Sequence, residues 1–188
     1  MAGTLTVQNI EGPTSGANAN KVIIPSGQTL DASAGFIPPS GHVVQTVSSG
    51  GFGTTITITS TTFVATGHSV SITTKFDNSY VLLQLAGGGW YDNGNSTQSQ
   101  WLTFYRSVSG GSYTNLADVN TTYGLQRMSG DGNTWNIKPH SAHWLDATGQ
   151  TANTSITYQV YTRVNSGSSQ YNSSDRGTPV FIAQEIAG

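Results

Sequence analysis

The chain has 188 residues, no cysteine, and 7 lysine and arginine residues against 9 aspartate and glutamate residues, for a formal net charge of -2. This composition predicts one larger β-domain, or one compact domain with an extension, and it excludes a disulfide framework and thiolate metal sites. Charged residues are only 9% of the chain, which argues against a basic patch for nucleic acid.

The neutral residues indicate the class of secondary structure. The chain has 23 glycines and many Ser, Thr, Asn and Gln residues, whereas helices favour Ala, Leu, Glu and Lys. No apolar run approaches the roughly 20 residues of a membrane span, and the first residues lack the basic start and apolar stretch of a signal peptide. We therefore expect a soluble all-β protein that is made in the cytoplasm.

The first 41 residues differ in kind from the rest. Short apolar stretches alternate with turn formers, and four prolines interrupt any ladder of backbone hydrogen bonds. Because such a segment cannot build a core of its own, we expect an extended N-terminal arm over residues 1–41 that becomes ordered on a partner. A disordered arm is the alternative. The predicted anchoring residues are Val22, Ile23, Ile24 and Leu30.

Residues 42–188 are predicted to form the folded domain. Candidate strands cover residues 42–48, 54–60, 62–66 and 68–74, with glycines between them. Residues 79–86 form the most continuously apolar run in the chain, which is typical of a central strand covered on both faces. Residues 87–96 predict a glycine-rich loop.

The second half of the domain supplies the remaining strands. Residues 100–107 predict a strand with aromatic residues on both faces, residues 109–132 predict long loops with one or two short edge strands, and residues 134–146 predict a pair of strands around Pro139. The stretch at 155–164 alternates with a period of two, with Ile156, Tyr158, Val160 and Val164 on one face and Thr157, Gln159, Tyr161 and Arg163 on the other. A closing strand at 179–186 brings the total to about eight to ten, which is typical of an antiparallel, jelly-roll-like β-sandwich.

One cluster suggests a metal or catalytic site, namely His140, His143 and Asp146. Residues three apart on a strand point to opposite faces, so the two histidines could not share a metal ion without a turn, and ordinary packing is favoured. The carboxylates are scattered in turn contexts without the pair that glycan hydrolysis requires, and the chain has no Gly-x-Ser-x-Gly motif. We therefore expect no enzyme activity, no metal and no cofactor.

The predicted glycine-rich loop contains a candidate ligand site, formed by Trp90, Tyr91, Asp92 and Asn93. Exposed aromatic rings stack on the apolar faces of sugars, and neighbouring Asp and Asn side chains hydrogen-bond to sugar hydroxyls. The alternative is that the two aromatic residues close one end of the sandwich or seal a subunit interface.

Several stretches resemble a known family. Residues 5–12, 22–36, 39–47, 63–72, 143–146 and 182–187 are similar to small fibre-like virion proteins of marine tailed bacteriophages, including cyanophages, and the match is strongest over residues 25–33. In that family, residues 63–72 correspond to a strand hairpin. Residues 90–132 match no pattern of the family, so the resemblance says nothing about the candidate ligand site.

The resemblance implies a structural role on the virion. In such a protein the N-terminal arm attaches to other virion proteins of the head, neck or tail, and the β-domain projects as a homotrimer. A trimer also has a physical reason, because three copies can bury apolar surface that one copy cannot. We expect Tyr161 and Arg163 to face a neighbouring copy, with Tyr161 more buried in the assembly than in the isolated chain. The alternatives are a tip that binds a host cell-surface glycan and, least favoured, a depolymerase.

Overall fold

The computed structural model describes residues 10–28, 38–92, 97–117, 123–130, 137–172 and 177–188. Contacts divide the chain into two units, Met1–Ile37 and Pro38–Gly188. In the first unit, residues 10–28 form turns without helix or strand. Three aliphatic residues in a row are exposed there, Val22 at 56%, Ile23 at 54% and Ile24 at 44%. Leu30 lies outside the described residues.

The second unit is all-β, as the sequence predicts. Its described residues contain no helix, and no helix long and apolar enough to cross a membrane occurs in the described chain. The strands are β1 Val43–Gly51, β2 Ile56–Ile58, β3 Val64–Thr73, β4 Tyr80–Asp92, β5 Ser99–Val108, β6 Thr114–Asn115, β7 Gln126–Ser129, β8 Ile137–Ala147, β9 Ser155–Val164, β10 Ser169–Tyr171 and β11 Val180–Ile186.

The long strands form two antiparallel sheets with jelly-roll topology. Sheet I has the order β1, β11, β4, β8, with the short β10 paired to the far end of β4 and β2 paired to β10. Sheet II has the order β3, β9, β5, with β6 and β7 on the outer side of β5. Strand β1 pairs with β11, β3 with β9, β4 with β8, and β5 with β7. The chain is therefore one long antiparallel hairpin rolled into two sheets, which confirms the predicted jelly-roll-like sandwich.

The core lies between the two sheets and follows the two-residue period of the strands. In β9, Ile156, Tyr158, Val160 and Val164 are all fully buried, as predicted. Facing strands contribute further inward residues to the same cluster, including Val81, Leu83, Leu85, Leu102, Phe104 and Phe181. Full burial of one such side chain contributes about 1.5–3 kcal/mol. The inward residues of a few alternating strands therefore supply most of the stabilisation.

Three predicted breaks in the strands are wrong. Residues 62–66 and 68–74 belong to one strand, β3, which contains a bulge where Gly67 adopts a φ of +78°, so the hairpin implied for residues 63–72 is also wrong. Strand β4 continues into the predicted glycine-rich loop as far as Asp92, with a bulge at Gly88. Strand β8 is continuous across Pro139, which is tolerated because β8 pairs with β4 alone. Bulges let a strand absorb irregular residues without ending.

The prediction that the apolar run at 79–86 is covered on both faces is wrong for the single chain. Val81, Leu83 and Leu85 are buried between the sheets, but Tyr80 is 41% exposed and Leu82 is only half-buried. A two-layer sandwich covers the inner face of each sheet and leaves the outer face open. The outer face of β4 is therefore unusually apolar for a surface.

A buried ion pair connects the two sheets. The Asp146 carboxylate on β8 accepts hydrogen bonds from Nη1 of Arg106 on β5, at 3.0 Å to each oxygen, and from the Tyr158 hydroxyl on β9 at 2.8 Å. Burial and the neighbouring Asp146 raise the pKa of Tyr158, which keeps its phenol protonated as a donor. Asp146 therefore serves as a link between the sheets.

A second buried carboxylate holds the end of β3 against sheet I. Glu185 on β11 is fully buried, and its oxygens accept hydrogen bonds from the backbone N–H groups of Lys75 at 2.8 and 3.0 Å and Phe76 at 3.2 Å, and from the Gln45 amide at 2.5 Å. These donors offset the cost of removing the carboxylate from water.

Replacing Asp146 tests the link between the sheets. Asp146→Asn leaves the partly buried Arg106 guanidinium without its charge partner, so we expect a loss of about 2 kcal/mol in the free energy of unfolding, measured by denaturant titration. In a double-mutant cycle with Arg106→Met, the loss of stability in the double variant should differ from the sum of the two single losses by more than about 0.5 kcal/mol. Strict additivity would contradict the assigned link.

Candidate functional site

Chemically distinctive side chains of the sandwich unit gather at four places. These are a buried cluster around His68, a small cleft beside Tyr91, and the outer faces of sheet I and sheet II.

The buried cluster contains a Ser–His pair. His68 Nε2 lies 2.8 Å from Ser49 Oγ, and His68 Nδ1 lies 2.7 Å from the Tyr171 hydroxyl. The Phe52 ring stacks on the imidazole with centroids 4.6 Å apart. In a hydrolase triad, the nucleophilic serine lies within hydrogen-bond distance of a histidine that accepts its proton. Whether Ser49 can react therefore depends on which ring nitrogen of His68 carries the proton.

One arrangement of protons satisfies every group in the chain of hydrogen bonds. Burial raises the pKa of Tyr171, which keeps its phenol protonated and able to donate to Nδ1. In that arrangement Nε2–H donates to Ser49 Oγ, which also accepts from the Phe181 N–H at 3.1 Å and donates to the Gly50 carbonyl at 2.9 Å. A protonated Nε2 in this arrangement does not take a proton from Ser49. The hydrogen bonds link β1, β3 and β10.

The predicted cluster of His140, His143 and Asp146 does not come together. His140 is buried and stacks on Tyr171 with centroids 4.7 Å apart, whereas His143 is exposed on the opposite face, as the strand period predicts. Asp146 is bound to Arg106. Among the described residues, no group of three His, Asp or Glu side chains could hold a metal ion.

The predicted role of Trp90 in binding sugar is wrong. Trp90 lies on β4 rather than in a loop, is fully buried, and packs under the Lys138 ammonium at 5.6 Å from the ring centroid. A buried ring has no face available for a ligand. The Asp92 side chain and Asn93 lie outside the described residues.

Tyr91, the next residue, lies at a cleft. The cleft has a volume of about 130 Å³ and is lined by Tyr91, Thr57, Ser168, Ser169 and Gln170. The lining contains hydroxyl, amide and ring groups without a charged side chain. At about 30 Å³ for each water molecule, the cleft accommodates only a few waters or the edge of one sugar ring.

The outer face of sheet I has an apolar area around Tyr80. Neighbouring strands place Ile186, Tyr80 and Ala147 in one row, and Gln184, Leu82 and Leu145 in the next. Val43 continues the first row onto β1 and is 55% exposed, and Leu145 is 53% exposed. Around this area the described outward residues include no Asp, Glu, Lys or Arg; the apolar ones are Val43, Tyr80, Leu82, Ala86, Leu145, Ala147, Val180, Ile182 and Ile186, and the polar ones are Thr46, Ser48, Gln84, Ser141, His143 and Gln184.

The outer face of sheet II carries a row of arginine and aromatic side chains. Trp101 on β5 lies directly between Arg163 on β9 and Arg127 on β7. The guanidinium carbons of Arg163 and Arg127 are 4.1 and 5.4 Å from the centroid of the Trp101 ring. Tyr123 lies beside the same ring at 6.4 Å. We call these four residues the arginine–aromatic row.

The residues predicted to meet a neighbouring copy lie on this face. Tyr161 stacks on Tyr105 with centroids 3.8 Å apart, and burial together with Tyr113 raises the pKa of Tyr161. Arg163 is only 8% exposed and donates to the Thr61 carbonyl at 3.1 Å, and burial lowers the pKa of its guanidinium. Arg163 is thus largely occupied within the chain. The burial of Tyr161 in an assembly stays a prediction.

Sequence reasoning missed Trp101, Arg127 and Tyr123. Trp101 and Tyr105 are four residues apart and Tyr161 and Arg163 are two apart, and either spacing puts both residues on one face of a strand. The sequence pattern therefore contained one face with two aromatic residues and another with tyrosine and arginine. It did not contain the pairing register that puts them side by side, because register depends on strands far apart in sequence.

Comparisons with known proteins add little to this description. No protein-family profile and no curated protein matches the chain. Among solved structures, it is similar to a chain in the structure of infectious bursal disease virus Gx strain, with 16% sequence identity and a TM-score of 0.31. The similarity covers 88% of this chain and 40% of that chain. At this TM-score the likeness carries no conclusion about function.

The two buried histidines predict sensitivity to acid. Burial lowers the pKa of His68 to about 4, and burial together with His68 lowers the pKa of His140 to about 4. The unfolded chain binds these protons near pH 6.5, so stability is full above that pH and is lost as the pH falls toward 4, by on the order of 3 kcal/mol for His140 and less for His68. Thermal unfolding between pH 7.5 and 4 should show this loss.

A substitution separates this effect from general acid denaturation. His140→Phe keeps a ring on Tyr171 and removes one of the two titrating groups, so the fall in Tm between pH 7 and pH 4.5 should be no more than about half that of the original chain. His42→Gln, at an exposed position before β1, should leave the fall in Tm unchanged. An unaltered pH dependence in His140→Phe would contradict the assignment.

Proposed function

We propose that the chain is a structural protein of a bacteriophage virion, a fibre, appendage or decoration subunit that assembles with copies of itself and performs no chemistry. The observation that carries the proposal is the apolar, uncharged outer face of sheet I. The bacteriophage setting is supported by the resemblance of residues 25–33 and the other matching stretches. The protein would be made in the host cytoplasm and function in the virion.

The outer face of sheet I has the properties of a contact between identical copies. Monomeric proteins seldom expose a large contiguous apolar patch, and a face without charge can be buried without desolvating an ion. Burying the exposed half of Leu145 alone would contribute about 1 kcal/mol in each copy. The continuously apolar sequence of β4 is also explained, because a neighbouring copy would cover the face that the single chain leaves open.

The N-terminal arm is the proposed attachment to the particle. Val22, Ile23 and Ile24 are each about half exposed, and residues 10–28 contain no strand or helix that could bury them. We assign these residues, with Leu30, to contacts with other virion proteins of the head, neck or tail. A homotrimer, projecting its jelly-roll domains away from the particle, would place three arms together at the attachment point.

The oligomeric state tests the role of sheet I. The full chain at micromolar concentration should elute as a trimer in size-exclusion chromatography with light scattering. Leu145→Glu places a carboxylate in the apolar contact and should weaken association by about 100-fold or more, giving monomers. Ser71→Glu, which adds the same charge to an exposed position of sheet II, should stay trimeric. A monomeric original chain would refute the proposal.

Imaging tests the particle. An image reconstruction of the virion should contain density for the jelly-roll domain outside the shell or tail, with residues 1–41 at the point of attachment. Absence of the protein from purified virions would contradict the proposed role, whatever its oligomeric state.

A second candidate function is recognition of a host cell-surface glycan. The observation that favours it is the cleft beside Tyr91, where a ring and several hydroxyl and amide groups meet without charge. These are the groups that bind neutral sugars.

Adsorption of virions to host cells tests this second function. Tyr91→Ala should reduce adsorption at least tenfold without a change in oligomeric state, and Tyr91→Phe, which keeps the ring, should retain most of it. Unchanged adsorption by Tyr91→Ala virions would exclude the cleft as the receptor site.

A further inference from the structure

The arginine–aromatic row is a second possible binding surface, separate from the cleft and from sheet I. Its exposed members are Arg127 and Tyr123, and Tyr123 is 54% exposed. Arg127 is held in place by Nε and Nη2, which donate to Ser99 Oγ at 3.3 and 3.1 Å. An arginine that is both exposed and already ordered loses little side-chain entropy when it binds a ligand.

The positive charge of the arginine–aromatic row indicates that its ligand carries a negative charge. The chain has only 7 lysine and arginine residues, and Arg127 and Arg163 both lie against Trp101. Among the described residues, Arg127 makes no ion pair, and the salt bridge there joins Arg106 to Asp146. A local positive charge on a chain of net charge -2 favours an anionic group at Arg127, and a guanidinium binds a carboxylate or a phosphate through two parallel hydrogen bonds.

The aromatic rings indicate the kind of molecule that carries the anionic group. Tyr123 has an exposed ring beside Trp101, and further along the face Tyr161 and Tyr105 stack, with Tyr113 6.0 Å from Tyr161. Aromatic rings bind the C–H faces of sugars, and phenol hydroxyls hydrogen-bond to sugar hydroxyls. A nucleic acid fits less well, because each phosphate needs a cation and the row offers two.

We propose that the outer face of sheet II binds an acidic saccharide, with a sugar carboxylate on Arg127 and a sugar ring against Tyr123. Further sugars of the chain extend toward Tyr161 and Tyr113, and this use of the face is an alternative to the predicted contact of Tyr161 with a neighbouring copy. The surface does not depend on self-assembly through sheet I, although three copies would present three such surfaces and raise the avidity for a polymer.

Affinity electrophoresis of the full chain tests the proposal. Native gels that contain polygalacturonate should retard the protein, and gels that contain the neutral polymer dextran should not. Added salt should reduce the retardation, because a single charge pair at the surface is screened. Arg127→Gln and Tyr123→Ala should each lower the apparent affinity at least tenfold. Lys75→Gln, which removes an exposed positive charge elsewhere, should bind like the original chain.

Several outcomes would overturn the proposal. They are no retardation of the original chain by polygalacturonate, equal retardation by dextran, and equal affinities for Arg127→Gln and Lys75→Gln. Tighter binding of a single-stranded oligonucleotide through Arg127 would show that the ligand class is wrong.

The oligomeric state of each variant distinguishes this proposal from the proposed virion role. If Arg127→Gln dissociates the assembly, the row is a contact between copies and the saccharide proposal fails. If Leu145→Glu is monomeric and still binds polygalacturonate, both proposals stand. A monomeric original chain that binds the polymer through Arg127 would refute the assembly alone.

Discussion

The structure depends on one constraint: a strand has two faces, and a two-layer sandwich buries only one of them. The inner faces of sheets I and II supply the core, with Tyr158, Phe104 and Phe181 among the fully buried side chains. Their alternation with outward residues fixes the register of every long strand, because a slip by one residue would exchange the two faces. The residues outside the core therefore determine which chemical groups the protein presents to partners.

The two outer faces differ in chemistry, and the difference suggests a division of roles. The outer face of sheet I exposes aliphatic and tyrosine side chains without charge, such as Leu145 and Tyr80, which suits burial against a copy. The outer face of sheet II gathers arginine around Trp101, which is costly to bury without an anion. We propose that the protein assembles through one face and binds a ligand through the other.

Buried polar groups give the sandwich its specificity. Asp146 and His68 each hydrogen-bond to a strand of the opposite sheet, and Glu185 on sheet I accepts from the backbone just after the end of β3 on sheet II. Apolar contacts tolerate sliding, whereas a buried carboxylate that loses its donors is strongly unfavourable. These groups therefore fix how the two sheets face each other. The two buried histidines make the same core sensitive to acid.

Local composition and the two-residue period were enough to predict the all-β class, the alternating faces of β9, the separation of His140 from His143, and the apolar character of β4. The pairing of distant strands was needed to show that β3 and β8 are continuous, that Trp90 is buried, and that Arg163, Trp101 and Arg127 form one row. The physical reason is that bulges absorb Gly67 and Gly88 within strands, and that burial and neighbours on a sheet are set by pairing between strands distant in the chain.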